Sequence, residues 1–228
     1  MKILAIGSVE DAEFITEQIK EQTVQPTDIK LFKDPDPKPS DSSEHGINQR
    51  RIRIAENQAI LQEYVRHNKP DLVWQVEQDS VLPADTLERL LSWYYQLVDD
   101  KFGYISGVQL GRHGVTCIGA WHVAVDKNSF MSLDYKARGL QTVDATGLYC
   151  LLAKADVWLE GSASWNGEAW GPDVNFGLSL KEKGYSIYCD TQLQIGHKVQ
   201  RGVIDFDNRN ICRVEFTNNN GKWKYTTS

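Results

Sequence analysis

Two carboxylates separated by one residue follow an apolar run in the first third of the chain. Glu77 and Asp79 come directly after Leu72–Val76, whose β-branched and aromatic residues are typical of a buried strand. Because side chains alternate along a strand, we expect both carboxylates on one face, where they repel each other unless a cation or ligand lies between them. The pattern predicts a binding edge, and a solvated acidic turn is the alternative because E-x-D is common by chance.

Two later segments carry side chains of the kinds that assist group transfer. Asp173 lies in the first turn of a predicted helix, Pro172–Lys183, where a carboxylate can accept a proton. His197 closes a pair of predicted strands, Tyr185–Cys189 and Gln192–Gly196, and imidazole is a common metal ligand. A single histidine is more often a satisfied core residue. The order of acid pair, helix acid and histidine along the chain is therefore more informative than any one of them.

The elements that must position these groups alternate between strand and helix patterns. In the first half they are predicted as a strand at Lys2–Gly7, a helix at Ser8–Lys20, a strand at Asp28–Lys33, a helix at Asn48–His67 and a helix after Pro83. A β-α-β start with short connections favours a parallel, right-handed unit. Asp34–Gly46 is rich in Pro, Ser and Asp, and its length predicts a lid or binding loop.

The second half continues with strand patterns and a Trp-rich loop. The predicted strands are Phe102–Val108 and Val115–Val125, separated by a turn at Gly111–Gly114, and the apolar stretch Gly147–Ala153 within Gln141–Ala153. Trp158–Gly171 contains three tryptophans among Gly and Ser residues and is predicted to be a loop. In the polar tail, Arg213–Phe216 and Lys222–Tyr225 flank Asn219-Asn220-Gly221, which is typical of a β-hairpin.

Composition limits the class of protein. The chain has 228 residues, of which 41% are hydrophobic, and this favours a single globular domain. Its net charge of -6 argues against a nucleic-acid-binding groove and against binding to an anionic membrane surface. No apolar run reaches the roughly 18 residues that a membrane span needs. The N-terminus reads as a strand rather than a signal peptide. The scattered cysteines without a C-x-x-C pair predict a reducing, cytoplasmic location; they are Cys117, Cys150, Cys189 and Cys212.

At these motifs the chain resembles the nucleotide-sugar-dependent glycosyltransferases of the A-type fold, most closely the family 2-like group. The resemblance covers roughly Met1 to Lys198. It lies in the strand with a D-x-D-like end and Pro-led helix (Val73 to Leu91), the G-x-x-x-L-L stretch (Gly147 to Leu152), the segment G-P-D-V-N-F-G-L-S-L-K-E-K-G-Y, and the terminal Gly-His. Two departures are Glu77, in place of the first acid of D-x-D, and Pro172, in place of the usual Glu before the acceptor-side Asp.

The resemblance implies a fold class and a division of the chain. We expect an α/β protein with a single Rossmann-like A-type glycosyltransferase domain, whose central mixed, mostly parallel sheet is flanked by helices and followed by a small C-terminal β-hairpin. Residues 1–198 would form this domain, with a nucleotide-binding half at 1–100 and an acceptor half at 101–198. Residues 199–228 would form a tail outside it.

The resemblance also implies roles for individual residues. Asp79 and His197 would hold Mn²⁺ or Mg²⁺, with Glu77 touching the metal through water or holding the ribose; hard cations take oxygen ligands, and Mn²⁺ also accepts imidazole. Asp173, kept ionised by its helix N-terminus, would be the general base of an inverting transfer to an acceptor hydroxyl. The remaining assignments are Asp34, Arg53, Glu77 and Gly7 to the nucleotide of a UDP- or GDP-type sugar donor, and Trp165, Trp170 and Gly147 to the acceptor or sugar.

Each assignment has an alternative. Arg50, Arg51 and Arg53 near a helix start suit a pyrophosphate, but such residues more often form a solvated basic face. The tryptophans serve equally well as plugs beneath the loop. For the whole chain, the alternatives are a nucleotidyltransferase, which the acidic and Gly-poor start disfavours, and a non-catalytic carbohydrate- or nucleotide-binding module. A homo-oligomer is compatible with the sequence.

Overall fold

The computed structural model describes residues 1–10, 12–34, 44–111, 116–167, 170–199, 202–219 and 222–228. Most of the predicted lid at Asp34–Gly46, the predicted turn at Gly111–Gly114 beyond its first residue, and the tip of the C-terminal hairpin lie outside these ranges.

The described part of the chain forms nineteen helices and strands. The first eight are β1 (Ile3–Val9), α1 (Glu13–Lys20), β2 (Asp28–Lys33), α2 (Glu44–Asn68), β3 (Leu72–Val76), β4 (Ser80–Val81), α3 (Thr86–Leu97) and β5 (Phe102–Gln109). The next six are β6 (Ala120–Val123), β7 (Ser129–Ser132), β8 (Leu140–Val143), β9 (Ala145–Thr146), β10 (Cys150–Lys154) and α4 (Ala155–Glu160). The last five are α5 (Pro172–Glu182), β11 (Ser186–Val199), β12 (Gly202–Ile204), β13 (Val214–Asn219) and β14 (Lys222–Thr227).

A central mixed sheet organises the protein, with its main strands in the order β12-β11-β5-β10-β3-β1-β2 and with β4 and β8 paired to β11. The parallel pairing of β1 with β2 confirms the prediction from the β-α-β start, and β1 is also parallel to β3. β10 lies antiparallel between β3 and β5, and β11 is parallel to β5, so five of the seven strands in this order run in one direction. The carboxyl ends of β1, β2 and β3 therefore meet at one edge of the sheet.

Both faces of this sheet are covered by helices. Leu4 and Ile6 of β1 face a core that includes α2, α4 and α5, whereas Ile3 and Ala5 face a core that includes α1 and α3. This alternation follows from the period of two in a strand, and it explains why β1 is apolar throughout: parallel strands are buried on both sides. The α/β class with a helix-flanked mixed sheet is confirmed.

A second, antiparallel sheet of five strands has the order β14-β13-β7-β6-β9. β13 and β14 pair antiparallel, as the predicted C-terminal hairpin requires. β13 also pairs with β7, placing Phe216 opposite Phe130. The tail predicted to lie outside the domain is therefore built into the protein. β7 has no counterpart among the predicted strands.

Several predicted boundaries are wrong for identifiable reasons. α1 begins at Glu13 rather than Ser8 because β1 continues to Val9. Trp158 lies in α4 rather than in a loop, is fully buried, and donates from Nε1 to Gln75 Oε1 at 3.0 Å. Of the predicted strand at Val115–Val125, β6 forms only its later part.

The predicted pair of strands before His197 is instead one strand of 14 residues, β11. Its register shifts between Cys189 and Gln194, where the buried Asp190 carboxylate accepts hydrogen bonds from Arg89 at 2.8 Å and Trp93 at 3.1 Å. Because the Asp190 carboxylate has hydrogen-bond donors here, it can be buried at this register shift, and β11 continues through it. His197 therefore lies within β11 rather than after it.

The structure contains no helix, within the ranges it describes, that is both long and apolar enough to cross a membrane.

Gly7, one of the predicted nucleotide-binding residues, has a packing role that can be tested. A Cβ at this position would overlap the carbonyl oxygen of Val76 on the neighbouring strand β3. We expect Gly7→Ala to destabilise the protein by about 1–3 kcal/mol, because backbone atoms cannot yield as a side chain does. Thermal unfolding measures this, with Ser8→Ala on the same strand as the control, which should change stability by no more than about 0.5 kcal/mol. An unchanged melting temperature for Gly7→Ala would contradict the packing role.

Candidate functional site

Asp79 and His197 meet because β4 pairs with the end of β11. In this antiparallel pair His197 lies opposite Ser80, and the backbone N–H of Lys198 donates to the carbonyl oxygen of Asp79 at 2.7 Å. The His197 ring is buried, and its Nε2 lies 3.3 Å from Oδ2 of Asp79. The structure thus brings together two of the three predicted metal ligands, which are 118 residues apart in sequence.

A hydrogen bond to Nδ1 of His197 determines which ring nitrogen carries the proton in the neutral imidazole. Nδ1 lies 2.9 Å from the carbonyl oxygen of Leu110, which can only accept, so Nδ1 carries a proton. In the neutral ring, Nε2 then presents a lone pair toward the Asp79 carboxylate, and two acceptors at 3.3 Å repel each other. The contact therefore requires either a proton between Nε2 and the carboxylate or a metal ion shared by both groups.

The backbone around this pair is held from several sides. Ser80 donates from Oγ to the carbonyl oxygen of Tyr149 at 3.0 Å, and that oxygen also accepts from the N–H of Glu77 at 3.1 Å. Gln109 donates from Nε2 to the carbonyl oxygen of Gly196 at 3.2 Å, just before His197. Such outer contacts fix the orientation of side chains that bind metals.

The donors at this pair fit a divalent cation that shares its coordination with a substrate. A carboxylate oxygen and an imidazole suit Mn²⁺, and Mg²⁺ or Mn²⁺ at phosphate sites often takes only one or two protein ligands beside phosphate and water. Within the described ranges, no three or more His, Cys, Asp or Glu side chains are grouped as a metal site. The protein would therefore supply part of the coordination, with ligand oxygens supplying the rest.

Glu77 does not follow the alternation that the sequence pattern predicts. β3 ends at Val76, and the N–H of Ser80 donates to the carbonyl oxygen of Glu77 at 3.1 Å, so Glu77–Asp79 form a turn rather than a continued strand. The expectation that both carboxylates lie on one face of a strand is therefore wrong, because neither residue belongs to a strand. Glu77 lines a small cavity, whereas Asp79 contacts His197.

This smaller cavity, of about 40 Å³, lies at the carboxyl ends of β1 and β3. Its lining includes Ser8 from the end of β1, Asn57 from α2, and Glu77 and Leu148. Carboxyl ends of parallel strands are where open α/β sheets bind ligands. The smaller cavity therefore lies at the edge of the sheet where the sequence pattern predicts ligand binding.

Asp34 and Arg53, two predicted nucleotide-binding residues, are neighbours. The buried carboxylate of Asp34 accepts from Asn57 Nδ2 at 2.8 Å, and its other oxygen lies 3.6 Å from Nε of Arg53. Asn57 also lines the smaller cavity, so the end of β2 and the middle of α2 are joined beside it. Arg53 is thus paired with acid rather than part of a solvated basic face.

A larger cavity, of about 500 Å³, lies between α2, α5 and the second sheet. Its residues come from distant parts of the chain and include aromatic side chains, two cations and the carboxylate of Asp173. They are Arg51, Cys117, Trp121, Phe130, Trp170, Gly171, Asp173, Val174, Phe216, Lys224 and Tyr225.

Asp173 is the acid of this cavity. It lies in the first turn of α5, which begins at Pro172. Burial raises the pKa of Asp173, while the backbone N–H of Val174 and the charge of Arg51 act in the opposite direction. The expectation that the helix N-terminus governs its ionisation is corrected, because burial has the larger effect. A raised pKa makes the carboxylate a stronger proton acceptor.

The two tryptophans assigned to the acceptor have different positions. Trp170 lines the larger cavity, and its Nε1 donates to Asn175 Oδ1 at 2.7 Å. Trp165 supports it from behind, because its Nε1 donates to the carbonyl oxygen of Trp170 at 3.0 Å. The guanidinium carbon of Arg51 lies 5.4 Å from the centre of the Trp165 ring, a cation–π contact.

Gly147 has a packing explanation. It is buried, and a Cβ there would lie 2.5 Å from the Tyr149 ring. Its neighbour Leu148 is the residue that reaches the smaller cavity.

The two cavities share α2. Arg51 lines the larger cavity, and Ile54 and Asn57, one and two turns further along, line the smaller one. Asp79 and His197 belong to the lining of neither. A short path nevertheless links them to the larger cavity: His197 bonds Leu110, and the next residue, Gly111, donates to the carbonyl oxygen of Cys117 at 2.9 Å.

Sequence reasoning missed most of the larger cavity. Trp121, Phe130, Phe216 and Tyr225 come from strands of the second sheet and carry no motif. The segments that flank Asn219-Asn220-Gly221 predicted a hairpin, but not the strand β7 with which that hairpin pairs.

No protein-family model matches the chain, and no curated protein matches it. Among solved structures, the chain is similar to A197 from STIV, with 15% sequence identity and a TM-score of 0.50 over 92% of this chain and 96% of that chain. At this identity the similarity concerns the fold alone, and it extends over almost the whole of both chains.

Proposed function

We propose that this protein is a metal-dependent glycosyltransferase with a Rossmann-like A-type domain, which moves a sugar from a nucleotide diphosphate sugar to an acceptor hydroxyl. The contact of His197 Nε2 with the Asp79 carboxylate at 3.3 Å carries the proposal, because the fixed tautomer makes this pair suited to a shared cation. The second support is Asp173, a half-buried acid in a cavity of small-molecule size.

The donor is assigned to the carboxyl edge of the central sheet. Asp79 and His197 would hold Mn²⁺ or Mg²⁺, which offsets negative charge as the diphosphate departs. Glu77 lines the smaller cavity, Asp34 accepts from Asn57 of the same lining, and Arg53 lies beside Asp34; all three are assigned to the nucleotide. Gly7 contributes close packing of β1 on β3 at the same edge.

The acceptor is assigned to the larger cavity. Asp173 would accept the proton of the acceptor hydroxyl as its oxygen attacks the anomeric carbon, and displacement in line inverts the configuration. Trp170 forms part of the wall. All three assigned segments contribute to this cavity: Arg51 comes from 1–100, Asp173 from 101–198, and Phe216 from the tail at 199–228.

Release of a nucleoside diphosphate tests the proposal. The protein is incubated with a panel of UDP and GDP sugars, with Mn²⁺, with Mg²⁺ and with a chelator, and free UDP or GDP is quantified. We expect slow metal-dependent hydrolysis of at least one donor, which the chelator abolishes and added Mn²⁺ restores. Tight nucleotide binding without turnover of any donor would favour a binding module of the same fold, and pyrophosphate formation from a nucleoside triphosphate would favour a nucleotidyltransferase.

A further inference from the structure

Aromatic side chains that pack on one another line much of the larger cavity. Phe130 and Phe216 are stacked with ring centres 4.3 Å apart and an angle of 5°, and Trp170 meets Phe130 edge-on at 5.9 Å. Trp121 and Tyr225 extend this surface. Aromatic faces carry partial negative charge and attract the slightly positive C–H groups of a ligand. The apolar face of a sugar ring presents such groups.

Charged side chains also line the larger cavity. Arg51 on α2 and Lys224 on β14 line the cavity together with Asp173, so the described lining carries two cations and one carboxylate. This local excess of positive charge contrasts with the net charge of -6 of the whole chain. Arg51 comes from α2 and Lys224 from β14, and both line the same cavity.

Positive charge beside apolar walls favours an anionic ligand. A neutral ligand displaces water from the cations without replacing its hydrogen bonds, which is costly, whereas a carboxylate or phosphate restores them.

We propose that the larger cavity binds an anionic saccharide, with the sugar ring against the aromatic walls and a carboxylate or phosphate substituent between Arg51 and Lys224. This names the acceptor class and rests on the proposed function only for calling the ligand an acceptor. A hydroxyl of the same ring would then lie toward Asp173.

Binding without donor and without metal tests this inference. Glucuronic acid, glucose 6-phosphate and glucose share one ring and differ in charge, so their affinities are compared by ligand-detected NMR titration. We expect one or both anionic sugars to bind at least about tenfold more tightly than glucose, as one charge-assisted contact of about 1.4 kcal/mol provides. The tighter of the two anionic sugars tells whether carboxylate or phosphate is the preferred group. Equal affinity for all three sugars overturns the inference.

Variants locate the effect. Lys224 is exposed, so Lys224→Gln should leave the fold intact and lower the affinity for the anionic sugars at least severalfold while leaving glucose unchanged. Arg51→Gln should act in the same direction. Lys136→Gln, an equal change of charge at an exposed lysine outside the cavity lining, is the matched control. If Lys136→Gln weakens binding as much as Lys224→Gln, the preference reflects overall charge and the inference fails.

The outcome is independent of the transferase assay. Binding of anionic sugars with no turnover of any donor would remove the proposed function and keep the binding site. Turnover of a donor with no preference for anionic sugars would do the reverse.

Discussion

Replacing Asp173 with asparagine should abolish most sugar transfer and leave the protein at least as stable as before. Asparagine keeps the size of the side chain and an oxygen that can accept from the backbone N–H of Val174, but it cannot take a proton from an acceptor hydroxyl. We expect kcat to fall by roughly 10²–10⁴-fold, the range that a positioned general base contributes.

The stability of this variant follows from the sign of the pKa shift. Burial raises the pKa of Asp173 in the folded protein above its unfolded value, so the unfolded state binds fewer protons as pH rises through that interval. The free energy of unfolding contributed by this residue therefore decreases as pH rises through this interval, and the loss is complete above the folded pKa. Asparagine removes that loss, so the melting temperature should stay equal or increase.

The pH profile provides a second measurement on the same residue. In the native protein, transfer should decline as pH falls through the pKa of Asp173, because protonation removes the base. In Asp173→Asn the residual activity should lack this acid limb. Glu182→Gln, at the other end of α5, is the matched control and should leave rate and profile unchanged. Full activity of Asp173→Asn would exclude this residue as the base.

Replacing His197 with asparagine should remove metal binding by the protein. Asparagine can still donate to the carbonyl oxygen of Leu110, as Nδ1 does at 2.9 Å, but it offers no atom in the position of Nε2. Loss of a ligand should weaken Mn²⁺ binding by more than the roughly 10–100-fold that outer-contact changes cause. Manganese titration by electron paramagnetic resonance, with UDP or GDP present, measures this without any turnover.

His122 provides the matched control for that experiment. It is half exposed and also lies near a carboxylate, with Nδ1 4.0 Å from Asp144 Oδ2. His122→Asn should leave Mn²⁺ binding unchanged. If neither the native protein nor the control binds Mn²⁺, and His197→Asn lowers the melting temperature in the presence of chelator, the pair is an imidazolium–carboxylate ion pair. The metal assignment would then be wrong.

Short-range patterns in the sequence located several elements well. β2 occupies the predicted residues Asp28–Lys33, and α5 begins at Pro172 as predicted, because proline at the first helical position and Gly184 after the last turn mark both ends. β3 also coincides with its apolar run. These elements depend on neighbouring residues, which the sequence displays directly.

Other features depend on contacts between distant residues. The insertion of β10 antiparallel between β3 and β5 and the pairing of β13 with β7 are set by packing that no local pattern reports. The irregularity in β11 depends on Asp190 meeting Arg89, about a hundred residues earlier. The candidate site divides in the same way: motifs in the sequence drew attention to Asp79, His197 and Asp173, whereas no motif pointed to Phe130 or Phe216, which line the larger cavity with Asp173.

Separate parts of the chain supply the two halves of the site, and this has an evolutionary consequence. The hairpin of β13 and β14 contributes Phe216, Lys224 and Tyr225, yet it pairs with neither β4, which follows Asp79, nor β11, which carries His197. Under the proposed function, changes in this hairpin would therefore alter which acceptor binds while leaving the Asp79–His197 pair in place. Relatives of this protein should differ most in that hairpin where they have adapted to new partners.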